Sequence, residues 1–225
     1  MSAFVPTGTV YGTLLNFRGE VNAMTAQMTQ PPYKAAPQAP VLYVKTANTW
    51  TPWQDGGAPI TLPHRVPEVE VGATIAMVIG PPAPVDIAQV APVFIAGYVL
   101  MNDLSIPHTS FFRPPIKYKC IDGFLGIGPA LVPARPAGDP ALFRLEVRIN
   151  GALRQTIAFA DLVRPVAQLL ADVNEFMTLQ PGDVLMLGCD AGRPLARVGD
   201  RIDISAPGLP ALGTLSNLLV GAITT

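Results

Sequence analysis

Residues 96–103 read Ala-Gly-Tyr-Val-Leu-Met-Asn-Asp, an apolar run that ends in two polar residues. Residues 94–101 are apolar enough to form a buried strand, and the polar pair Asn102-Asp103 follows that strand directly. A carboxylate at the end of a strand suits a hard divalent cation or a general base. The alternative for Asp103 is a structural role in capping a turn.

Basic side chains follow this strand at short spacing. Arg113 precedes Pro114-Pro115, which hold the local backbone extended, and a preorganised guanidinium suits bidentate recognition of a carboxylate. A plain surface arginine is the alternative. Lys117 and Lys119 alternate with apolar residues, which predicts a strand with both ammonium groups on one face.

Two further residues extend the same pattern. Lys45 ends the apolar run 41–45 and is either another anion ligand or a solvated strand end. Asp122 comes three residues after Lys119 and precedes a glycine. A lone carboxylate among fixed cations indicates a site for a small, multiply anionic substrate.

The rest of the chain predicts a β-rich α+β domain with few helices. Asn150-Gly151 predicts a hairpin turn between two of the strands. The predicted strands are residues 9–17, 41–45, 74–79, 94–101, 143–149, 154–159, 184–187 and 202–205. The predicted helices are residues 21–29, 86–91 and 160–176, the last with Asp161 as its N-cap. We expect one domain over residues 1–225, in which residues 1–60 supply strands and loops that pack on the main β structure.

Composition excludes several functional classes. Hydrophobic residues make up 49% and charged residues 14% of 225 residues, with a net charge of -1. This is too apolar for disorder and favours an oligomer, and no basic stripe indicates nucleic-acid binding. Two cysteines provide no disulfide framework, and no apolar run approaches the roughly 20 residues of a membrane span. We therefore expect a cytoplasmic protein with no membrane partner.

The sequence resembles the fumarylacetoacetate hydrolase superfamily. Within it, the similarity is to the N-terminal half, or first subunit, of the bifunctional isomerase/decarboxylases of 4-hydroxyphenylacetate (homoprotocatechuate) degradation. Motifs in matching order carry this resemblance: Leu15-Asn16-Phe17, Pro32-Tyr33-Lys34-Ala35, Ile95 to Asp103, Ser110 to Pro114, Lys117 to Phe124, and Glu175 to Asp183.

The resemblance implies a mixed β roll, usually dimeric, with Mg²⁺ or Mn²⁺ bound at the strand ends. The family holds this ion with a Glu-x-Glu pair on one strand and an Asp on a later strand. Asp103 matches the later ligand, but Gly72 and Thr74 stand where the two glutamates are expected. The resemblance places the early catalytic His of the family near Glu20.

The resemblance also implies decarboxylation of 5-oxopent-3-ene-1,2,5-tricarboxylate or isomerisation of 2-hydroxyhepta-2,4-diene-1,7-dioate, both through a dienolate. The substrate is then a small anionic 2-oxo or 2-hydroxy acid. The implied catalytic residues are Lys119, Asp103 and Asp122, and the implied substrate-binding residues are Lys45, Arg113, Asn102 and Lys117.

Two alternatives stay open. One is a structural partner that lacks metal ligands and supports a catalytic paralogue in a hetero-oligomer, rather than an active homodimer. The other is a different reaction of the superfamily, such as acylpyruvate hydrolysis.

Overall fold

A computed structural model describes residues 3–81, 94–109 and 116–222. Within these ranges the chain consists mainly of β-strands joined by loops and short helices. The strands are β1 (Val10–Leu14), β2 (Val41–Lys45), β3 (Trp50–Thr51), β4 (Ala58–Leu62), β5 (Val69–Glu70), β6 (Ala73–Ile79), β7 (Ile95–Asp103), β8 (Leu125–Ile127), β9 (Val132–Pro133), β10 (Arg144–Ile149), β11 (Ala152–Ala158), β12 (Val184–Met186), β13 (Leu195–Ala196), β14 (Arg201–Ser205) and β15 (Thr214–Gly221). The helices are α1 (Arg18–Met28), α2 (Ile116–Lys119), α3 (Ala134–Ala137) and α4 (Val166–Asn174).

A mixed sheet of eight strands carries the site. Its strand order is β2-β1-β12-β6-β7-β8-β3, and β9 pairs with β7. The antiparallel pair β6 and β7 lies in the middle, with Ala73 opposite Asn102. All seven residues of β6 are buried, so this strand is covered on both faces and shows no alternation of buried and exposed positions.

The two faces of this sheet belong to different cores. Ile75 and Met77 pack in one core with Val147 of the five-stranded sheet, whose order is β11-β10-β14-β15-β4. Ala76 and Met101 belong to a second core on the opposite face. Side chains alternate along a strand, so Asp103 shares the second face with Met101. The end of β7 therefore points a carboxylate into an apolar core.

The hairpin predicted at Asn150-Gly151 is confirmed. β10 and β11 pair antiparallel with Ile149 opposite Ala152. Asn150 has a φ of 53° and Gly151 a φ of 80°. Positive φ at both central residues is the requirement of the tight turn that matches strand twist.

The helix predictions are confirmed in part. Residues 21–29 correspond to α1, which begins three residues earlier, at Arg18. The predicted helix 160–176 is shorter, because α4 begins after Pro165 and ends at Asn174. Asp161 lies in a separate 3-10 turn, so its prediction as the N-cap is wrong. The predicted helix at 86–91 lies outside the described residues.

The β-rich α+β class and the curled mixed sheet are confirmed. The strands of residues 1–60 are integral to both sheets, since β1, β2 and β3 belong to the larger one and β4 to the smaller one. That residues 1–225 form one domain stays a prediction. None of the helices in the described ranges has the length and apolar character to cross a membrane.

Candidate functional site

Three charged side chains and one tyrosine meet on the face of the large sheet that also carries Ala76 and Met101. Asp103 is the last residue of β7, Lys45 the last of β2 and Lys119 the last of α2. Nζ of Lys45 lies 3.0 Å from Oδ1 of Asp103, and Nζ of Lys119 lies 2.6 Å from Oδ2. The Tyr43 hydroxyl donates a hydrogen bond to the same Oδ2. The three charged side chains are at most 1% exposed.

Backbone carbonyls complete the surroundings of Lys45. Its ammonium group donates to the carbonyl of Lys119 and, at 3.2 Å, to the carbonyl of Phe124. It meets Oδ1 of Asp103 as an ion pair, and that oxygen accepts no hydrogen bond with good geometry. Lys45 thus ties β2 to the loop after α2 as well as to the end of β7.

The charges of this cluster do not cancel. Burial raises the pKa of Asp103, but the ammonium groups of Lys119 and Lys45 outweigh burial and hold that pKa below its usual range. Burial lowers the pKa of Lys45, and the nearby Lys119 charge acts in the same direction, whereas Asp103 opposes both. One carboxylate faces two lysines, so the cluster favours an additional anion, such as a substrate carboxylate or a developing enolate.

The described residues do not fit a divalent cation at Asp103. Oδ2 of Asp103 accepts hydrogen bonds from Lys119 and Tyr43, and the ammonium group of Lys45 lies 3.0 Å from Oδ1, so a dication there would face two ammonium groups. Thr74 donates its hydroxyl hydrogen to the carbonyl of Gly188 at 2.5 Å. At Gly72 a Cβ would lie 2.1 Å from the carbonyl oxygen of Asp103, so this backbone leaves no space for a side chain there. Within the described ranges, no group of three or more His, Cys, Asp or Glu could hold a metal ion.

Two of the predicted substrate-binding residues lie away from the cluster. Asn102 is fully buried on the opposite face of β7, where its amide donates to Oδ1 of Asn217 at 3.1 Å. The prediction that residues 117–119 form a strand is wrong, since they lie in the helical turn α2. Residues two apart on a helix point to different sides. Lys119 therefore enters the core, whereas Lys117 is exposed with its ammonium 5.9 Å from the centre of the Tyr118 ring.

The other two predicted site residues are not part of this cluster as described. Asp122 is exposed and accepts a hydrogen bond from the Asn48 amide at 2.6 Å. This contact holds the turn after α2 against the loop after β2. Arg113 lies outside the described residues, so its role in binding a substrate carboxylate stays a prediction.

Two features of the site were missed in the sequence. Tyr43 lies two residues before Lys45 on the same strand, so the alternation of β2 was a usable signal for it. Arg193 pairs with Glu20 of α1 and, at 3.3 Å, with Glu70 of β5, beside a cavity of ≈ 160 Å³. No local pattern indicates this second cluster, because residue 193 lies more than 120 positions from both carboxylates.

Cys189 lies close to both clusters. Its sulfur would be 3.2 Å from a Cβ at Gly72, and burial raises the pKa of its thiol to about 12. A thiol that stays protonated at neutral pH is a poor nucleophile. The structure thus agrees with a structural role for this cysteine.

The acid dependence of stability is expected to report on Asp103. Its pKa is lower in the folded chain than the value of about 3.9 in an unfolded one. The stabilisation by its ionised form is therefore complete above about pH 5 and is lost as the pH falls through 4 towards the folded pKa. Urea unfolding of wild type and Asp103→Asn should give free energies that converge between about pH 5 and pH 2. A difference that stays constant over this interval would contradict the assignment.

Comparisons with known proteins agree with this architecture. The family model described as "Fumarylacetoacetate (FAA) hydrolase C-terminal" matches residues 9–220. The 4-hydroxyphenylacetate degradation bifunctional isomerase/decarboxylase of Salmonella dublin is 40% identical over 205 residues, which are 91% of this chain and 46% of that protein. The chain thus spans about half the length of such relatives.

Solved structures show the same fold. The 5-carboxymethyl-2-hydroxymuconate delta-isomerase from Mycobacterium smegmatis superposes with a TM-score of 0.74 and 26% identity, covering 100% of this chain and 83% of that one. Fumarylpyruvate hydrolase from Pseudomonas aeruginosa, solved with Mn²⁺ and pyruvate, has a TM-score of 0.75 and 23% identity over 96% of this chain and 91% of that one. At that identity the second likeness concerns the fold alone.

Proposed function

Since this chain belongs to the fumarylacetoacetate hydrolase family, we propose that it is a decarboxylase subunit of 4-hydroxyphenylacetate catabolism. The proposed substrate is 5-oxopent-3-ene-1,2,5-tricarboxylate, and isomerisation of the resulting 2-hydroxyhepta-2,4-diene-1,7-dioate is the related second activity. The observation that carries this proposal is the buried Asp103 cluster with its surplus positive charge.

The chemistry needs stabilisation of negative charge on one oxygen. When the carboxylate on carbon 2 leaves as CO₂, its bonding electrons form a double bond between carbons 2 and 3. The existing double bond then shifts to carbons 4 and 5, and the carbonyl electron pair moves onto the 5-oxo oxygen. An ammonium group near that oxygen stabilises the dienolate and can protonate it.

The contacts support the roles proposed for Lys119, Asp103 and Lys45, whereas that of Arg113 rests on the sequence. Lys119 is the proton donor to the dienolate oxygen, and Asp103 holds its ammonium group in place. Lys45 keeps Asp103 ionised and adds positive charge to the site. Arg113 is the proposed ligand of a second substrate carboxylate. Because Lys119 is buried, substrate binding requires a local opening that exposes its ammonium group.

Product analysis tests the reaction. Purified protein is incubated with the tricarboxylate, and the dienedioate is identified by ultraviolet absorbance and NMR. We expect one CO₂ per dienedioate formed. A protein that releases no CO₂ from the tricarboxylate but hydrolyses an acylpyruvate, with pyruvate as a product, would overturn the assignment in favour of an acylpyruvate-type hydrolase.

A second candidate function is a scaffold for a catalytic paralogue, and the replacement of both expected glutamates by Gly72 and Thr74 favours it. The proposed assembly is then a hetero-oligomer instead of a homodimer. Activity that appears only on adding the paralogue, and that Asp103→Ala in this chain leaves unchanged, would support the scaffold. Turnover by this chain alone would eliminate it.

Divalent cations are not expected to bind at Asp103 at concentrations up to about 1 mM. Two ammonium groups already occupy the oxygens of Asp103, and a dication beside them is repelled. Titration with Mn²⁺ or Mg²⁺ up to 1 mM should release no binding heat and should leave the melting temperature unchanged within about 1 °C, since a ligand that does not bind does not stabilise. A saturable site that Asp103→Asn removes would show that our interpretation of this cluster is wrong.

A further inference from the structure

The ring of Tyr43 packs against Gly12 of the neighbouring strand β1. It lies opposite Gly12 in the antiparallel pair of β1 and β2. A Cβ at position 12 would lie 2.0 Å from the carbon that bears the Tyr43 hydroxyl. The ring therefore lies flat across the glycine backbone, and this path is open only because residue 12 has no side chain.

The hydroxyl end of the ring reaches the charged cluster. It donates to Oδ2 of Asp103, the oxygen that also accepts from Nζ of Lys119 at 2.6 Å. The same Nζ lies 5.3 Å from the centre of the Tyr43 ring, within the range of a cation–π contact. Tyr43 thus touches both members of the ion pair, one through its hydroxyl and one through its ring.

The protonation state of Tyr43 limits what it does. Burial, and next the negative charge of Asp103, raise its pKa well above the ordinary value of a phenol. The hydroxyl therefore stays neutral and acts as a hydrogen-bond donor, which excludes it as the base of the reaction.

We propose that Tyr43 is a positioning residue that fixes Oδ2 of Asp103 and thereby the direction of the Lys119 ammonium group. Gly12 leaves the space that the Tyr43 ring needs for this contact. The hydroxyl restricts rotation of the carboxylate, and the ring restricts the lysine from the other side. The contacts of Tyr43 with Asp103 and Lys119 do not depend on which substrate binds. The expected effect of Tyr43 on kcat rests on the proposed function.

Kinetics of Tyr43→Phe test the consequence for catalysis. The variant keeps the ring on Gly12 but loses the hydroxyl. We expect kcat to fall about 10- to 100-fold with KM within about threefold, since a misplaced catalytic group costs rate more than binding. Tyr98→Phe, which alters another buried tyrosine that packs on Phe143, should leave both constants unchanged. An unchanged kcat in Tyr43→Phe would overturn the proposal.

Gly12→Ala provides a second test through a different residue. It should displace the Tyr43 ring and reproduce the loss in kcat. The double variant with Tyr43→Phe should be no slower than the slower single variant, because both changes remove one interaction. Fully additive losses in the double variant would show that Gly12 does not act through the position of the Tyr43 ring.

A measurement without substrate separates this inference from the proposed function. In ¹⁵N-labelled protein, the ammonium resonance of Lys119 is assigned by its absence in Lys119→Met. We expect its hydrogens to exchange with water at least about tenfold faster in Tyr43→Phe than in wild type or Tyr98→Phe, because a lost hydrogen bond loosens the pair. Unchanged exchange would overturn the positioning role. Faster exchange in a protein without decarboxylase activity would support positioning and refute only the substrate assignment.

Discussion

Asp103→Asn is expected to abolish decarboxylation and to lower the free energy of unfolding by about 3–5 kcal/mol. The substitution keeps the size of the side chain but removes its charge, which leaves the ammonium groups of Lys45 and Lys119 buried without a counterion. Urea unfolding at pH 7 and the initial rate of CO₂ release measure the two effects.

The exposed Asp161 provides the matched control for this variant. Asp161→Asn makes the same chemical change outside the site and should alter stability by less than about 0.5 kcal/mol. If Asp103→Asn were as stable as this control, the carboxylate would not be the counterion of the two lysines. If it retained wild-type turnover, Asp103 would have no part in the reaction.

Lys119→Met is expected to lower kcat by about 10³-fold, because it removes both the proposed proton donor and half of the charge that stabilises the dienolate. Its cost in stability should be smaller than that of Asp103→Asn, since Asp103 and Lys45 remain as a balanced pair. Lys119→Arg should restore little activity, because the guanidinium is larger and does not give up a proton at neutral pH.

Steady-state kinetics at saturating substrate check this prediction. The control is Lys34→Met, which changes an exposed lysine and should leave kcat unchanged. A Lys119→Met variant with normal kcat and a raised KM would show that Lys119 only binds substrate. In that case a residue other than Lys119 would be the proton donor.

The fold was predictable where one pattern had one structural solution. The apolar run of β7 with Asp103 at its end, and the Asn150-Gly151 turn, were confirmed because burial and positive φ leave few alternatives. α2 was not predictable in this way. An alternation over only four residues fits a strand as well as a single helical turn, and the surrounding contacts decide between them.

Site residues were predictable only where they lie at the end of a strand or in a short motif that the sequence shows. Asp103, Lys45 and Lys119 do, and the structure brings them together. The ion pair of Glu20 with Arg193 joins positions 173 residues apart, so no local spacing reports it. Asn102 was predicted to bind substrate, but adjacent strand residues point in opposite directions, so it lies on the face of β7 opposite Asp103 and contacts Asn217.

The most direct test of metal-independent decarboxylation is the reaction of the tricarboxylate with the purified chain alone, in the presence of a chelator. We expect CO₂ to be released at the same rate with and without EDTA, and Lys119→Met to reduce this rate about 10³-fold. No CO₂ release until a divalent cation or a glutamate-bearing paralogue is added would contradict this expectation.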